Sequence, residues 1–176
     1  MKIIKLNEYE IDDKLEKNLH ILLVESFANV YPCDRIYYKQ IPHFRYLAYD
    51  EEILIAHVGL DYRVMNLNGK PIKVLGIIDL CVKEQYRGKN IASTLLNEVE
   101  EFARIHNLDF LLLFADKETV YKRNDFIHGK NICKWLKINQ HITLGIGEEE
   151  IDELMIKKIG QKDWEDGHLD MLGYLY

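Results

Sequence analysis

Between residues 78 and 96 the sequence reads IDLCVKEQYRGKNIASTLL. An apolar, alternating run gives way to a basic turn containing glycine, and a helical pattern opens directly behind it. A helix N-terminus carries unpaired amides and a partial positive charge, so it holds phosphate groups well. Gly88 lets the backbone come close to a ligand, Asn90 tolerates the left-handed conformation such a turn needs, and Arg87 and Lys89 add charge. These are the parts of a diphosphate cradle. The same residues also fit a plain strand-to-helix turn with solvated cations, and their spacing leaves both readings open.

The elements that must position this turn are legible on either side of it. KIIKL reads as a first strand, and residues 11–30 repeat apolar positions at helical spacing (Leu15, Leu19, Leu22, Leu23, Phe27) until YPCD stops them with a proline. FRYLAYD alternates and ends at Asp50. The block after it carries Asn-Gly turn chemistry in NLNGK between two β-rich arms, which predicts a long hairpin. Behind the turn, Leu95, Leu96, Val99, Phe102 and Ala103 share one helix face, ending near His106 and Asn107. DFLLLFA is a continuous apolar run of buried-strand length, and KETVYKRNDF reads as a short helix and a turn. In the final third a strand is expected around residues 154–159. Trp135 and Trp164 either cover the core or line a pocket. The whole predicts a mixed α/β (α+β) domain with helices packed on a largely antiparallel sheet.

At 176 residues and 48% apolar, the chain is long enough for one well-buried core, so a single domain over 1–176 is expected. A net charge of -6 and a pI near 5.6 argue against nucleic acid as a partner and suit a cationic substrate. Three cysteines, Cys33, Cys81 and Cys133, stand far apart without a C-x-x-C, which fits reduced thiols in a cytoplasmic setting. No leader-like h-region and no long uncharged apolar run is read, so no membrane association is expected. Seven histidines show no metal-ligating spacing, and no metal is expected.

LCVKEQYRGKNIASTLL is similar to the acyl-CoA-binding segment of the GNAT (GCN5-related) N-acyltransferase superfamily, whose signature is Q/R-x-x-G-x-G/A after a strand. Gln85, Gly88 and Asn90 stand at its positions. VYKRNDF resembles the later Y-x-x-x-G-F segment, with Asp125 in place of glycine. The end WEDGHLDMLGYLY resembles those of aminoglycoside 2'-N-acetyltransferases and nodulation-type N-acyltransferases. The resemblance implies a GNAT-type fold, with a central, mostly antiparallel mixed sheet flanked by helices, and frequent homodimers.

It also implies acetyl-CoA as co-substrate. The diphosphate would lie over Arg87, Gly88, Lys89, Asn90, Ile91, Ala92 and Ser93, and the pantetheine arm along Leu80, Cys81 and Val82. A backbone amide near Val82 would hold the thioester oxygen while a primary amine attacks directly. Tyr121 would protonate the departing thiolate. The glutamate base of the histone-modifying branch is replaced here by Gly76. Asp79, Asp61, His57 or a water chain remain as candidates for the base, and the carboxylate of Tyr176 for holding a cationic amine. Regular alternation would turn Asp79 toward the face of Ile77 and Cys81, away from Leu80 and Val82. The departures at Asn90 and Asp125 keep a second class open, an acyl-CoA-binding module without turnover.

Overall fold

Asp12 starts the first helix: its side chain accepts from the Leu15 amide at 2.8 Å, and Asp13 and Glu16 place negative charge at the helix's positive end. This computed structural model describes residues 1–28 and 31–176. The chain is a mixed α/β protein with mostly antiparallel strands, divided into two compact units. One comprises residues 1–61 and 77–99, the other residues 62–76 and 100–176.

The first unit begins with β1 (Lys2–Asn7), followed by α1 (Asp13–Ser26). The helix stops four residues short of the expected end, because Phe27 leaves helical geometry at φ -122°. Asn29 and Val30, the last residues of the predicted helix, lie outside the described residues. Strand β2 (Phe44–Asp50) pairs antiparallel with β1 from Lys2↔Tyr49 to Asn7↔Phe44. On its other side it pairs with β3 (Ile53–Leu67), from Phe44↔Leu60 to Asp50↔Ile53. Leu19, Leu22 and Leu23 of α1 bury against Leu47 and Leu54, joined by Cys81 of β4 (Lys70–Val82). Helix α2 (Ile91–Ile105) opens in this unit.

Strand β2 is enclosed over most of its length, and one of its enclosed residues is a cation: Arg45 is 1% exposed. An isolated buried charge would be prohibitive, so its partners decide whether it can stay. Nε and Nη2 donate to the two oxygens of Glu8 at 2.6 and 2.8 Å, Nη2 also to the Ile36 carbonyl at 2.8 Å, and Nη1 faces His57 Nε2 at 2.8 Å.

In the second unit, β3 turns into β4 through Asn68 and Gly69, both left-handed at φ 52° and 84°, with the Gly69 amide donating to Asn66 Oδ1 at 2.7 Å. Two consecutive positive φ values are what a tight hairpin requires. Strand β5 (Phe110–Phe114) runs parallel to β4 through the rungs Val74↔Phe110, Leu75↔Leu111 and Gly76↔Leu112. After it come α3 (Thr119–Lys122), β6 (Ile127–His128), β7 (Asn131–Asn139), β8 (Ile142–Glu150), β9 (Leu154–Lys158) and β10 (Gly167–Tyr174). In space the order is β6-β9-β5-β4-β3-β10-β7-β8. The core of this unit gathers Met65, Val74, Phe110, Leu112, Ile156 and Met171. Trp135 is buried, and Trp164 packs edge-on to Phe110 while its Nε1 donates to Asn131 Oδ1 at 2.9 Å, so both indoles serve this core.

The strand expected around residues 154–159 is β9, and β6, β7, β8 and β10 lie in the final third besides it. The β7–β8 turn uses Gln140 and His141 at φ 45° and 61°, with no glycine to announce it.

Truncating Arg45 would leave the Glu8 carboxylate beside an empty buried space, so Arg45→Ala is expected to lose about 3 kcal/mol in a denaturant titration. Burial, and then the Arg45 charge, hold the His57 pKa well below its usual value. The unfolded chain therefore binds a proton near pH 6.5 that the folded one refuses. The stability His57 contributes is full above that pH and falls as pH drops below it, by up to about 1.4 kcal/mol per pH unit. Comparing the denaturation midpoints of wild type and His57→Gln between pH 7.5 and 5 isolates this slope, which the variant should lack.

Candidate functional site

The strand-to-helix junction lies wholly in the first unit, and its backbone is more unusual than its side chains. Gly88 has φ 77° and Asn90 φ 62°. A Cβ built on Gly88 would meet nothing within 4 Å, so glycine is needed there for its backbone angle and not for lack of room. Asn90 is among the few residues with a side chain that accept this region. Its carbonyl takes the Thr94 amide at 3.0 Å, the first i→i−4 bond of α2, and the Thr94 hydroxyl at 3.1 Å. The peptide groups before Thr94 thus sit at the positive end of a 15-residue helix.

The side chains are arranged as follows. Leu80 and Val82 are half-buried, and Cys81 is buried at the end of β4. Arg87 is exposed and turns back along the strand, its Nε donating to the Val82 carbonyl at 3.1 Å. Lys89 lies over the Tyr86 ring with Nζ 4.9 Å from the centroid. Ile91 is buried, while Ala92 and Ser93 are half-buried in the first turn of α2. These ten residues, 80–82 and 87–93, come together in one unit. Tyr121 belongs to the other, in α3, half-buried and edge-on to Phe126 with centroids 5.8 Å apart. Desolvation pushes the Cys81 thiol up to about 12, so it stays protonated and is no nucleophile near neutral pH.

Gly76 accounts for its own identity. A Cβ there would fall 1.9 Å from Cζ of Tyr176, because that tyrosine's ring lies directly over the glycine. No glutamate fits at position 76 with Tyr176 in place. The candidates left for the base separate clearly. Asp61 is buried and paired with His43 at 2.9 Å. His57 is completely buried, with one ring nitrogen facing Arg45 and the other the Asp79 carbonyl at 3.1 Å, so it reaches no substrate.

Asp79 corrects the expectation of regular alternation. Its φ of 50° breaks the extended pattern three residues before the end of β4, and its carboxylate accepts from the Tyr31 hydroxyl at 3.1 Å. Arg45 and then Lys39 are the further neighbours whose charges act on it. Tyr31 and Lys39 carry no local pattern that marks them in the sequence: the first is 48 residues from its partner.

The second departure from the resemblance follows the first. Asp125 stands where the similar segment has glycine, and its φ is 64°. The turn from α3 is closed by the Phe126 amide donating to the Tyr121 carbonyl at 3.1 Å. Both departures therefore keep the backbone angle that a glycine would supply, using the residue types that accept it.

Residues 21–129 match the family model described as an acetyltransferase (GNAT) domain, a span that includes the junction and α3. The chain belongs to the GNAT acetyltransferase family. The match to the GNAT fold extends over a solved GNAT family N-acetyltransferase (YhbS) of Escherichia coli in complex with CoA, at 17% identity and a TM-score of 0.63, covering 97% of this chain and 89% of that one. Arabidopsis thaliana NAA60, in complex with a bisubstrate analogue, shares 17% identity at a TM-score of 0.60 over 92% of this chain and 100% of its own. A probable N-acyltransferase of Enterococcus faecalis matches 73% of this chain at 15% identity and a TM-score of 0.60, and there the GNAT chain spans about a third of the longer protein, 33%. No curated protein matches the sequence significantly.

If the left-handed angle at position 90 is what asparagine supplies, replacing it with glycine should be harmless and replacing it with a β-branched residue should not. Asn90→Gly is expected to keep or slightly raise the melting temperature. Asn90→Val should lose about 1–2 kcal/mol in a denaturant titration. Equal stability of all three proteins would contradict the assignment.

Proposed function

We propose that this protein is an acyl-CoA-dependent N-acetyltransferase, moving an acetyl group from acetyl-CoA to the primary amine of a small cationic molecule, such as an aminoglycoside-like acceptor. The observation that carries the reading is the junction itself: left-handed Gly88 and Asn90 lead from the end of β4 into α2, in a chain of the GNAT family. Amides of residues 88–93 would hold the diphosphate, with Arg87 and Lys89 adding charge at the rim. The edge of Leu80, Cys81 and Val82 lies past the last β4–β5 rung and would hold the pantetheine arm by backbone bonds. Acetyl-CoA supplies an activated acyl group whose carbonyl an amine can attack without an enzyme nucleophile, which agrees with the protonated state of Cys81.

Tyr121 is assigned to protonate the leaving thiolate on the strength of its motif position, and its half-buried place before a turn closed on its own carbonyl supports a fixed hydroxyl. The net charge of -6 favours a cationic acceptor. A cytoplasmic setting agrees with Cys33, Cys81 and Cys133 all being free thiols. No helix among the described residues is long and apolar enough to cross a membrane. The non-catalytic reading drew on Asn90 and Asp125, and their left-handed backbones weaken that reason.

Titrating CoA into the folded protein by calorimetry should give a dissociation constant below about 1 mM. Heat-silent titration at millimolar CoA would refute the reading. Thiol release from acetyl-CoA across a panel of primary amines should then identify an acceptor. Tyr121→Phe is expected to lower kcat about 100-fold or more while leaving CoA affinity within twofold. Unchanged turnover in that variant removes Tyr121 from the chemistry. CoA binding without thiol release from any amine would favour the binding module.

A further inference from the structure

A residue at φ 50° within a strand is costly to hold, and Asp79 is held through both its backbone and its side chain. Its carbonyl lies 3.1 Å from His57 Nδ1, and His57 Nε2 lies 2.8 Å from Arg45 Nη1. A guanidinium only donates, so Nε2 is the bare nitrogen and Nδ1 carries the hydrogen that reaches Asp79. This chain of bonds needs a neutral imidazole, and burial together with the Arg45 charge keeps it neutral.

The same guanidinium donates to the Ile36 carbonyl, fixing the segment that carries Tyr31 and Lys39. Tyr31 gives its hydroxyl hydrogen to Asp79 Oδ2 at 3.1 Å. The charged and titratable groups around the carboxylate are thus Tyr31, Lys39 and Arg45, with Cys81 on the same strand and His57 at the backbone. Burial raises the proton affinity of Asp79 against the opposing pull of Tyr31, Arg45 and Lys39. The residue as a whole is only partly buried. It immediately precedes Leu80, Cys81 and Val82, along which the thioester arm is proposed to lie.

We propose that Asp79 is the general base of acetyl transfer, binding the acceptor as an ammonium ion and taking its proton. The proposal rests on the acetyl-transfer reading above. The Asp79 carboxylate takes one of the three ammonium hydrogens, freeing the nitrogen lone pair. That pair forms the bond to the acetyl carbonyl carbon, and the carbon–sulfur bond breaks with its electrons passing to sulfur. Of the two hydrogens left on nitrogen, one stays in the amide and the other restores the Tyr121 hydroxyl, whose own proton goes to the thiolate. Asp79 then returns its proton to water. A raised proton affinity makes the carboxylate a better base for this step than an ordinary surface aspartate.

The test compares wild type with Asp79→Asn, which keeps the shape and an acceptor for Tyr31. The readouts are CoA affinity, kcat/KM against pH for the best amine of the panel, and the ¹³C titration of the Asp79 carboxyl in the CoA complex. CoA binding within twofold of wild type, a loss of kcat/KM of about 100-fold or more, and loss of the ascending limb of the pH profile are expected. The wild-type ¹³C titration should have its midpoint above the usual aspartate value of about 3.9. A variant that binds CoA and keeps more than a third of the wild-type kcat/KM overturns the proposal alone. An ordinary midpoint for Asp79 does so as well, and needs no folded variant. Absence of CoA binding, or of turnover with any amine by wild type, fails the acetyl-transfer reading and takes the proposal with it.

Discussion

A buried guanidinium organises the first unit. Arg45 sits in an enclosed strand at 1% exposure, and its charge is tolerable only because Glu8, Ile36 and His57 take up its hydrogens. Each of these partners comes from a different part of the sequence. Glu8 follows β1, Ile36 lies in the segment after α1, and His57 is on β3. One side chain thus ties together three stretches that packing of leucines alone would leave free to slide. Through His57 the effect reaches the carbonyl of Asp79, where β4 leaves its extended path.

Positive φ is the second constraint, and it accounts for the departures from the family pattern. The chain places asparagine at position 90, where the signature has glycine or alanine, and aspartate at position 125, where the similar segment has glycine, with φ at 62° and 64°. A side chain is admitted without giving up the turn. Gly76 shows the opposite trade. There the backbone is an ordinary strand, and glycine is required by space, because the Tyr176 ring lies where a Cβ would project. A position that carries a carboxylate in one branch of the family is here covered by a ring, and the carboxylate on the same strand is three residues further on, at Asp79.

Most of the local structure was legible in the sequence because its signals are local. The helical spacing of Leu15, Leu19, Leu22 and Leu23, the Asn-Gly turn at residues 68–69 and the apolar run of β5 each depend on neighbours in the chain. What escaped depends on distant residues. Strand β7 turns Asn131, Cys133 and Trp135 inward, but β8 is exposed along almost all of its length, and their turn uses Gln140 and His141 in place of the residues that usually announce one. Strand β10 carries two glycines and pairs parallel with β7, so it lacks a hairpin signature. At the site, the Gly88 and Asn90 turn could be read from residue types. The pairing of Tyr31 with Asp79 could not, nor could the break in alternation that accompanies it.

Acetyl transfer at this site requires that peptide nitrogens at the start of α2 hold the coenzyme. An amide ¹H–¹⁵N spectrum recorded during a CoA titration observes those nitrogens one by one. The largest saturable shifts should fall on residues 88–93, with smaller ones at 80–82. A spectrum in which these peaks stay still while CoA is added, or in which shifts gather on other elements, would contradict it.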